Sequence, residues 1–166
     1  MKKAFTISVS VIVCLVIALA CKKSNTTTTT TTTPPSSTTT APTNTTTTNF
    51  TVDGTAAHNP FSTYNNSSGN YVVSGIDGSS QYPQIELVFS GTVTPVSGAY
   101  AVVNINGASP AASQCELILV TASGSFPASS GNVTVVAGSS SSAYFTNISC
   151  SYQGVTHVVT GNVKWP

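Results

Sequence analysis

The sequence predicts an all-β domain over residues 50–166, a single antiparallel β-sandwich, Ig-like or barrel-like, of about eight strands. Three observations support this prediction. From Phe50 onward, short apolar runs are separated by Gly, Ser, Asn and Pro, as in strands joined by turns. No stretch keeps a helical apolar period over three turns. Several runs alternate apolar and polar residues, which is typical of strands with one buried face.

The apolar runs define the individual strands, and two Asp-Gly pairs mark tight turns between them. Asp53-Gly54 and Asp77-Gly78 are residue pairs that favour such turns. The expected strands, in chain order, are Asn49–Val52, Asn70–Ile76, Gln84–Phe89, Ala99–Ile105, Gln114–Thr121, Asn132–Val136, Ala143–Ser151 and Val155–Lys164.

Alternation also predicts which side chains share a face. Ile85, Leu87 and Phe89 fall on one face of their strand, and Glu86 falls on the other. In the strand that begins near Ala143, the same rule groups Tyr144, Thr146, Ile148, Cys150 and Tyr152.

The composition of the chain excludes one class of function. Only 5% of the residues are charged, against about 25% in a typical soluble domain, and arginine is absent. From Phe50 onward the charged residues are Asp53, Asp77, Glu86, Glu116 and Lys164. With one lysine the domain lacks a basic surface that would neutralise phosphates, so we expect no binding to nucleic acid.

The N-terminal residues 1–20 are typical of a signal peptide. Lys2 and Lys3 provide the positive start, and the uncharged segment 4–20 follows. This segment is shorter than the roughly 20 residues that a membrane-spanning helix needs. An uncleaved anchor helix is the alternative.

The end of this segment, Ala18-Leu19-Ala20-Cys21, resembles the lipobox of bacterial lipoproteins. The resemblance implies cleavage before Cys21 and attachment of lipid to its thiol. Two or more acyl chains anchor a protein stably, whereas one chain gives only marginal binding. We therefore expect Cys21 to be the lipid-attachment site.

Residues 21–49 are expected to form the lipidated cysteine and a disordered tether. The segment contains eight consecutive threonines, followed by a stretch of Pro, Ser and Thr. Such a sequence cannot bury enough apolar surface to offset the entropy lost on ordering. We interpret it as a semi-stiff spacer that is either bare or O-glycosylated.

Two cysteines, Cys115 and Cys150, remain in the predicted domain, each within an apolar strand. An exported protein matures in an oxidising compartment, where the pair is predicted to form a disulfide. Such a bond would add about 3–4 kcal/mol of stability. Two buried free thiols are the alternative.

No residue pattern in the sequence predicts a catalytic or metal site, and no cofactor is expected. Glu86 and Glu116 both lie in mid-strand, where alternation places them on the solvent face. A glycosidase needs two carboxylates facing each other across a cleft, which leaves this pair as a less favoured hydrolase hypothesis. His58 is expected in a loop, and His157 as a partnered strand residue rather than a metal ligand.

The tyrosines are better candidates for ligand contact. Tyr64 and Tyr82 fall in segments predicted to be loops, near several asparagines. An exposed tyrosine offers an apolar ring for stacking and a hydroxyl for hydrogen bonding. We therefore predict Tyr64 and Tyr82 to contact a ligand such as a sugar or a protein partner.

The whole layout resembles small exported lipoproteins that are common in Bacteroidota. Three features carry the resemblance: Cys21-Lys22-Lys23, the Thr/Pro tether, and the opening 50–54 of the domain. The resemblance implies a protein that is anchored by lipid at the cell envelope, on the outer membrane. It does not imply a particular activity. The sequence specifies neither the membrane face nor the oligomeric state.

These features together favour a non-enzymatic binding module of the envelope whose ligand is a glycan or another envelope protein. The alternative is a purely structural envelope lipoprotein without a ligand site. A hydrolase that uses Glu86 and Glu116 is the third hypothesis.

Overall fold

The computed structural model describes residues 47–166, and this part of the chain is all-β. The expected signal peptide, Cys21 and nearly all of the tether lie outside the described residues. Within residues 47–166 no helix has the length and apolarity to span a membrane. The strands are β1 Asn49–Val52, β2 Thr55–Ala56, β3 Phe61–Ser67, β4 Asn70–Ile76, β5 Gln84–Ser90, β6 Gly98–Val102, β7 Gln114–Thr121, β8 Gly124–Pro127, β9 Asn132–Val136, β10 Ser141–Tyr152 and β11 Val155–Trp165.

The strands form one curled sheet, in the order β2-β1-β11-β10-β9-β6-β7-β5-β4-β3, with β8 paired to β7. The sheet curls so far that its far strands meet β11. The hydroxyl of Ser62 in β3 donates to the carbonyl of Lys164 in β11. Gly75 in β4 lies so close to Val163 that an added Cβ would be 2.7 Å from the valine side chain. The domain is therefore a half-barrel.

The predicted all-β class is confirmed, whereas the predicted sandwich of about eight strands is not: the strands form a half-barrel instead. Two separate sheets do not form because β6 and β7 pair in parallel through Ala101 with Gln114 and Val102 with Cys115. That pairing joins the strands β7, β5, β4 and β3 to the strands β6, β9, β10, β11, β1 and β2 in one sheet. Strand β8 then continues along the same edge of β7, and Ala128 just after it bridges to Cys150 in β10.

Most predicted strands are confirmed, and three observed strands were not predicted. Strand β2 has two residues and β8 has four, too few to show alternation. Strand β3 lies at the edge of the sheet and is mostly exposed on both faces, so its polar sequence shows no buried side. The predicted strand Ala99–Ile105 ends earlier, at Val102.

The core lies on the concave side of the curled sheet. Ile85, Leu87 and Phe89 are all buried there, as their alternation predicted. They belong to one continuous cluster of buried side chains. The largest fully buried side chains are Trp165, Phe50, Phe89, Phe145, Ile85, Leu87, Leu117, Leu119, Val73, Val133, Val135 and Val159.

The face assignment for β10 is wrong in its first half. The register with β11 shifts between Phe145 and Ile148, which marks a β-bulge. Asn147 has a φ of 50° at this point. A bulge inserts an extra residue and exchanges the two faces of a strand. Phe145 is therefore buried together with Ile148, while Tyr144 is only half-buried.

Candidate functional site

A cleft of about 490 Å³ lies where the β1–β2 turn, the β4–β5 loop and the end of β7 meet the start of β11. Its volume is within the range of small-molecule sites, which often occupy the mouths of barrels. The apolar part of its lining comes from Val52, Ala56 and Pro83. The side chains with chemical function are Asp53, His58, Asp77, Tyr82 and His157, and we call this site the His–Asp cleft.

His157 and Asp53 form a close pair in this cleft. His157 Nδ1 lies 2.7 Å from Asp53 Oδ2, and the backbone N–H of Val158 donates to Asp53 Oδ1 at 2.8 Å. The hydrogen bond from the His157 side chain, followed by the one from Val158, holds the pKa of Asp53 below its usual value. The His157 ring also packs edge-on against Phe126, with ring centroids 4.7 Å apart.

The turn that carries Asp53 is of the kind that the sequence predicts. Asp53 and Gly54 connect β1 to β2 and have φ values of 51° and 80°. Two successive positive φ angles define a type I′ hairpin turn, which favours Asp-Gly. The turn places the carboxylate beside the start of β11, where His157 lies.

Asp77 holds together the two loops on the other side of the cleft. Its carboxylate accepts hydrogen bonds from the backbone N–H groups of His58 and Ser79, each at 2.8 Å, and from the Ser79 hydroxyl. The Ser79 hydroxyl and then the two backbone groups lower the pKa of Asp77 to about 2. Gly78 N–H donates to the His58 carbonyl at 2.9 Å. Asp77 is buried, so its role is to fix the shape of the cleft.

The two histidines differ in how firmly they are held. The side chain of His58 is 75% exposed, and its Nδ1 lies 3.7 Å from Asp77 Oδ2, beyond hydrogen-bond length. The side chain of His157 is 24% exposed and has a short contact to Asp53. His58 is in a loop and His157 in a strand, as expected. The convergence of both histidines on one cleft was not predicted.

The cleft carries negative charge. Asp53 and Asp77 both have lowered pKa values and are ionised at neutral pH. No lysine or arginine of residues 47–166 is among its lining side chains, because Lys164 lies in a different depression beside Ser62 and Trp165. Within the described residues, no three His, Cys, Asp or Glu side chains group closely enough to hold a metal ion.

The two tyrosines that we predicted as ligand contacts lie at different places. Tyr82 lines the His–Asp cleft and is 42% exposed. Tyr64 is 51% exposed on β3, where its ring stacks on Tyr71 with centroids 5.9 Å apart. Tyr71 in turn contacts Trp165. The structure thus brings only Tyr82 together with the titratable side chains.

The carboxylates of the hydrolase hypothesis are neighbours on the convex face. Glu86 pairs with Ile118 and Glu116 with Val88, so the two carboxylates are diagonal neighbours on β5 and β7. Burial raises the pKa of both, and that of Glu86 is raised further by Glu116. Glu116 is 5% exposed rather than solvent-facing, and the backbone of Ile105 hydrogen-bonds to it.

The loop between β6 and β7 reaches this convex face and explains the burial. Gly107 and Ala108 from that loop line the same depression as the two glutamates. Because Glu86 and Glu116 project from one face of one sheet, they do not oppose each other across a cleft. The arrangement that a glycosidase requires is therefore not formed by this pair.

The predicted disulfide is not present, and Cys115 and Cys150 are both buried free thiols. The backbone of Leu119 hydrogen-bonds to the Cys150 sulfur, and Cys115 lies four residues earlier on the same strand as Leu119. Four strand residues span about 13 Å, whereas bonded cysteines need Cα atoms within about 7 Å. Burial raises the pKa of Cys115 to about 12 and that of Cys150 to about 11.

The sequence contains little that would have revealed the His–Asp cleft. Asp53 and His157 are 104 residues apart, so no local spacing links them. The Asp-Gly turns were recognised, but only as turns. Comparisons of the chain with protein-family models, curated proteins and solved structures gave no match.

Proposed function

We propose that this chain is a lipid-anchored, non-enzymatic binding module of the bacterial cell envelope, and that it holds a glycan in the His–Asp cleft. The observation that carries the proposal is the presence of an exposed tyrosine and several hydrogen-bonding side chains in one cleft of about 490 Å³. The anchor is the lipid on Cys21, in the outer membrane.

The chemistry of the cleft suits a sugar. A sugar ring has apolar faces and a rim of hydroxyl groups, so it needs a flat apolar surface and several polar partners. Tyr82 and Pro83 supply the apolar surface. Asp53, His157 and the hydroxyls of Ser80 and Thr121 supply hydrogen-bonding groups around it.

The negative charge of the cleft narrows the class of glycan. Two ionised aspartates and the lack of a basic side chain in the lining disfavour a phosphorylated or carboxylated ligand. A neutral glycan meets no such repulsion. The same reasoning argues against an acidic segment of a protein partner.

The position of the cleft suits a tethered module. The Asn162 side chain donates to the Thr47 carbonyl at 2.7 Å, and Lys164 N–H donates to Thr48 Oγ1 at 3.1 Å. The described chain therefore begins beside the C-terminal half of β11, whereas His157 is near the start of that strand. Five strand residues separate His157 from Asn162, about 17 Å. The point where the described chain begins is therefore set apart from the cleft.

A glycan array with the mature chain tests the proposal, and two tyrosine variants make the test specific to the cleft. Tyr82→Ala removes the aromatic surface of the cleft, and we expect it to weaken binding by about tenfold or more. Tyr64→Ala is the matched control, because Tyr64 is similarly exposed but lies outside the cleft. We expect Tyr64→Ala to leave the affinity unchanged.

Two outcomes would contradict the proposal. Binding that falls equally in both variants would place the ligand elsewhere than in the cleft. An array without any bound glycan, together with recovery of one envelope protein by cross-linking through the cleft, would replace the glycan by a protein ligand.

A further inference from the structure

We propose that Asp53 is a positioning residue that fixes the tautomer of His157, so that His157 Nε2 accepts a hydrogen bond from a ligand hydroxyl in the His–Asp cleft. This inference rests on the proposed function, because it assigns the ligand group that the cleft recognises. The ligand is then a neutral molecule with a hydroxyl hydrogen that points at Nε2.

The tautomer follows from the contact between the two side chains. His157 Nδ1 and Asp53 Oδ2 are 2.7 Å apart, so one of these atoms must donate. Asp53 is ionised at neutral pH because its pKa is lowered, and an ionised carboxylate only accepts. Nδ1 therefore carries the proton. In a neutral imidazole the other nitrogen, Nε2, is then an acceptor.

The orientation of the ring is also fixed. Asp53 is held by the turn and by the Val158 N–H at 2.8 Å, so the carboxylate cannot rotate away without loss of that bond. Phe126 meets the imidazole edge-on at an interplanar angle of 90°. Within residues 47–166, Asp53 is the hydrogen-bond partner of His157, and Nε2 has none.

The groups around His157 determine the hydrogen-bonding character of the site. Asp53 faces it from the β1–β2 turn, and Cys150 pairs with it from β10 as a neutral thiol whose pKa is about 11. Across the cleft are Asp77, His58 and Tyr82. A change of tautomer would place the proton on Nε2 and make this nitrogen a donor. A ligand hydroxyl whose hydrogen points at Nε2 would then have to turn and accept instead, which disturbs its other hydrogen bonds.

His58 provides an internal comparison. Its Nδ1 is 3.7 Å from the nearest carboxylate oxygen and its side chain is 75% exposed. Without a hydrogen bond to a carboxylate, its tautomer is not fixed by the protein. The two histidines of the described chain therefore allow a comparison within one sample.

Nuclear magnetic resonance of the imidazole nitrogens of the ¹⁵N-labelled chain at about pH 8 tests the tautomer directly. We expect His157 to carry its proton on Nδ1 and His58 to show a mixture of both forms. In Asp53→Asn, the amide can keep the bond from Val158 through its oxygen and donate to Nδ1 through its nitrogen. We expect this variant to move the His157 proton to Nε2. A wild-type His157 that is protonated on Nε2 would overturn the inference.

The ligand part is tested with three tetrasaccharide probes. Cellotetraose and chitotetraose (N-acetylated) are neutral, and tetragalacturonate is anionic. We expect a neutral probe to shift the His157 Nε2 resonance. Asp53→Asn, which places the proton on Nε2, should weaken binding of that probe by about tenfold. Tyr64→Ala is the control, because Tyr64 is exposed outside the cleft, and it should retain the affinity.

The outcomes separate this inference from the proposed function. Neutral probes that bind through Tyr82 but whose affinity does not change in Asp53→Asn would overturn the role of His157 and leave the glycan proposal in place. Preferred binding of tetragalacturonate would overturn the assignment of a neutral ligand. If no probe binds, the ligand part fails together with the glycan proposal, while the imidazole spectrum still decides the role of Asp53. Should Asp53→Asn not fold, His157→Phe provides the second variant, because it removes the acceptor and keeps a ring, and the same loss of affinity is expected.

Discussion

At the scale of single residues, the two aspartates of the His–Asp cleft have different roles. Asp77 is buried and its oxygens are occupied by backbone and hydroxyl donors, so it joins the loops around His58 and Ser79. The side chain of Asp53 is 51% exposed and pairs with His157. The first carboxylate therefore maintains the shape of the cleft, and the second determines its hydrogen-bonding chemistry.

The two buried cysteines support a prediction at the same scale. Their pKa values of about 12 and about 11 keep both thiols protonated at about pH 8, and the thiolate is the reactive form. In a chain with Cys14→Ser and Cys21→Ser, we expect a thiol-reactive dye to label neither cysteine in the folded state. Both should be labelled after denaturation without reductant. Denatured protein that remains unlabelled until a reductant is added would show that Cys115 and Cys150 form a disulfide.

At the scale of elements, a bulge and a glycine bend the long hairpin of β10 and β11. Asn147 N–H donates to Thr160 Oγ1 at 2.9 Å, and that hydroxyl donates to Asn147 Oδ1 at 3.1 Å. Gly161 follows with a φ of 151°, and it pairs with both Phe145 and Phe50. Bulges and strand glycines are the usual means of curving a sheet. This bend brings β1 closely onto β11.

A pair of glycine substitutions tests the role of this bend. A Cβ at Gly161 would lie 2.3 Å from the Asn49 carbonyl oxygen and 2.5 Å from Phe50 Cα. Because backbone atoms cannot move aside easily, we expect Gly161→Ala to lower the free energy of unfolding by about 3 kcal/mol or more. Gly154 in the β10–β11 turn has a φ of 82° and no atom within 4 Å of an added Cβ.

Gly154→Ala is thus the control for backbone strain alone, and we expect a loss of about 1–2 kcal/mol. Urea unfolding of both variants gives the comparison. An equal decrease in the free energy of unfolding in the two variants would mean that the close contact between β1 and Gly161 does not add to the destabilisation.

Strands with one buried face were the elements that the sequence could predict. Strand β5 is an example, because Ile85, Leu87 and Phe89 had to face the core together. Edge strand β3 could not be found in this way, since nearly all of its side chains are exposed. The faces of β10 could not be predicted either, because the bulge at Asn147 involves a hydrogen bond to Thr160 on the partner strand, which no pattern within β10 reveals.

At the scale of the whole molecule, the cleft and the start of the described chain lie at different ends of β11. Thr47 is bonded to Asn162, whereas His157 and Asp53 belong to the cleft. A chain that is anchored through its N-terminal side would thus present the cleft away from the point where the tether joins. This arrangement agrees with the proposed role of a tethered binding module.

The anchor itself is tested by Cys21→Ser. A serine hydroxyl does not replace the thiol in the transfer of a diacylglycerol, so the variant lacks the lipid. We expect the wild-type chain, which carries the lipid, to partition into detergent. The Cys21→Ser variant should partition into water. Mass spectrometry of the N-terminus of the mature chain gives the independent check. An unmodified Cys21 in protein isolated from its native membrane would contradict the proposed anchor.

The sequence by itself determined the all-β class and the scarcity of charged residues, because these depend on composition and on short-range alternation. Only the tertiary structure decided that the strands form one curled sheet, that Cys115 and Cys150 lie apart, and that His157 meets Asp53. Each of these features depends on the pairing of strands that are far apart in sequence. Such pairing is set by how the whole core packs, and no local pattern of residues encodes it.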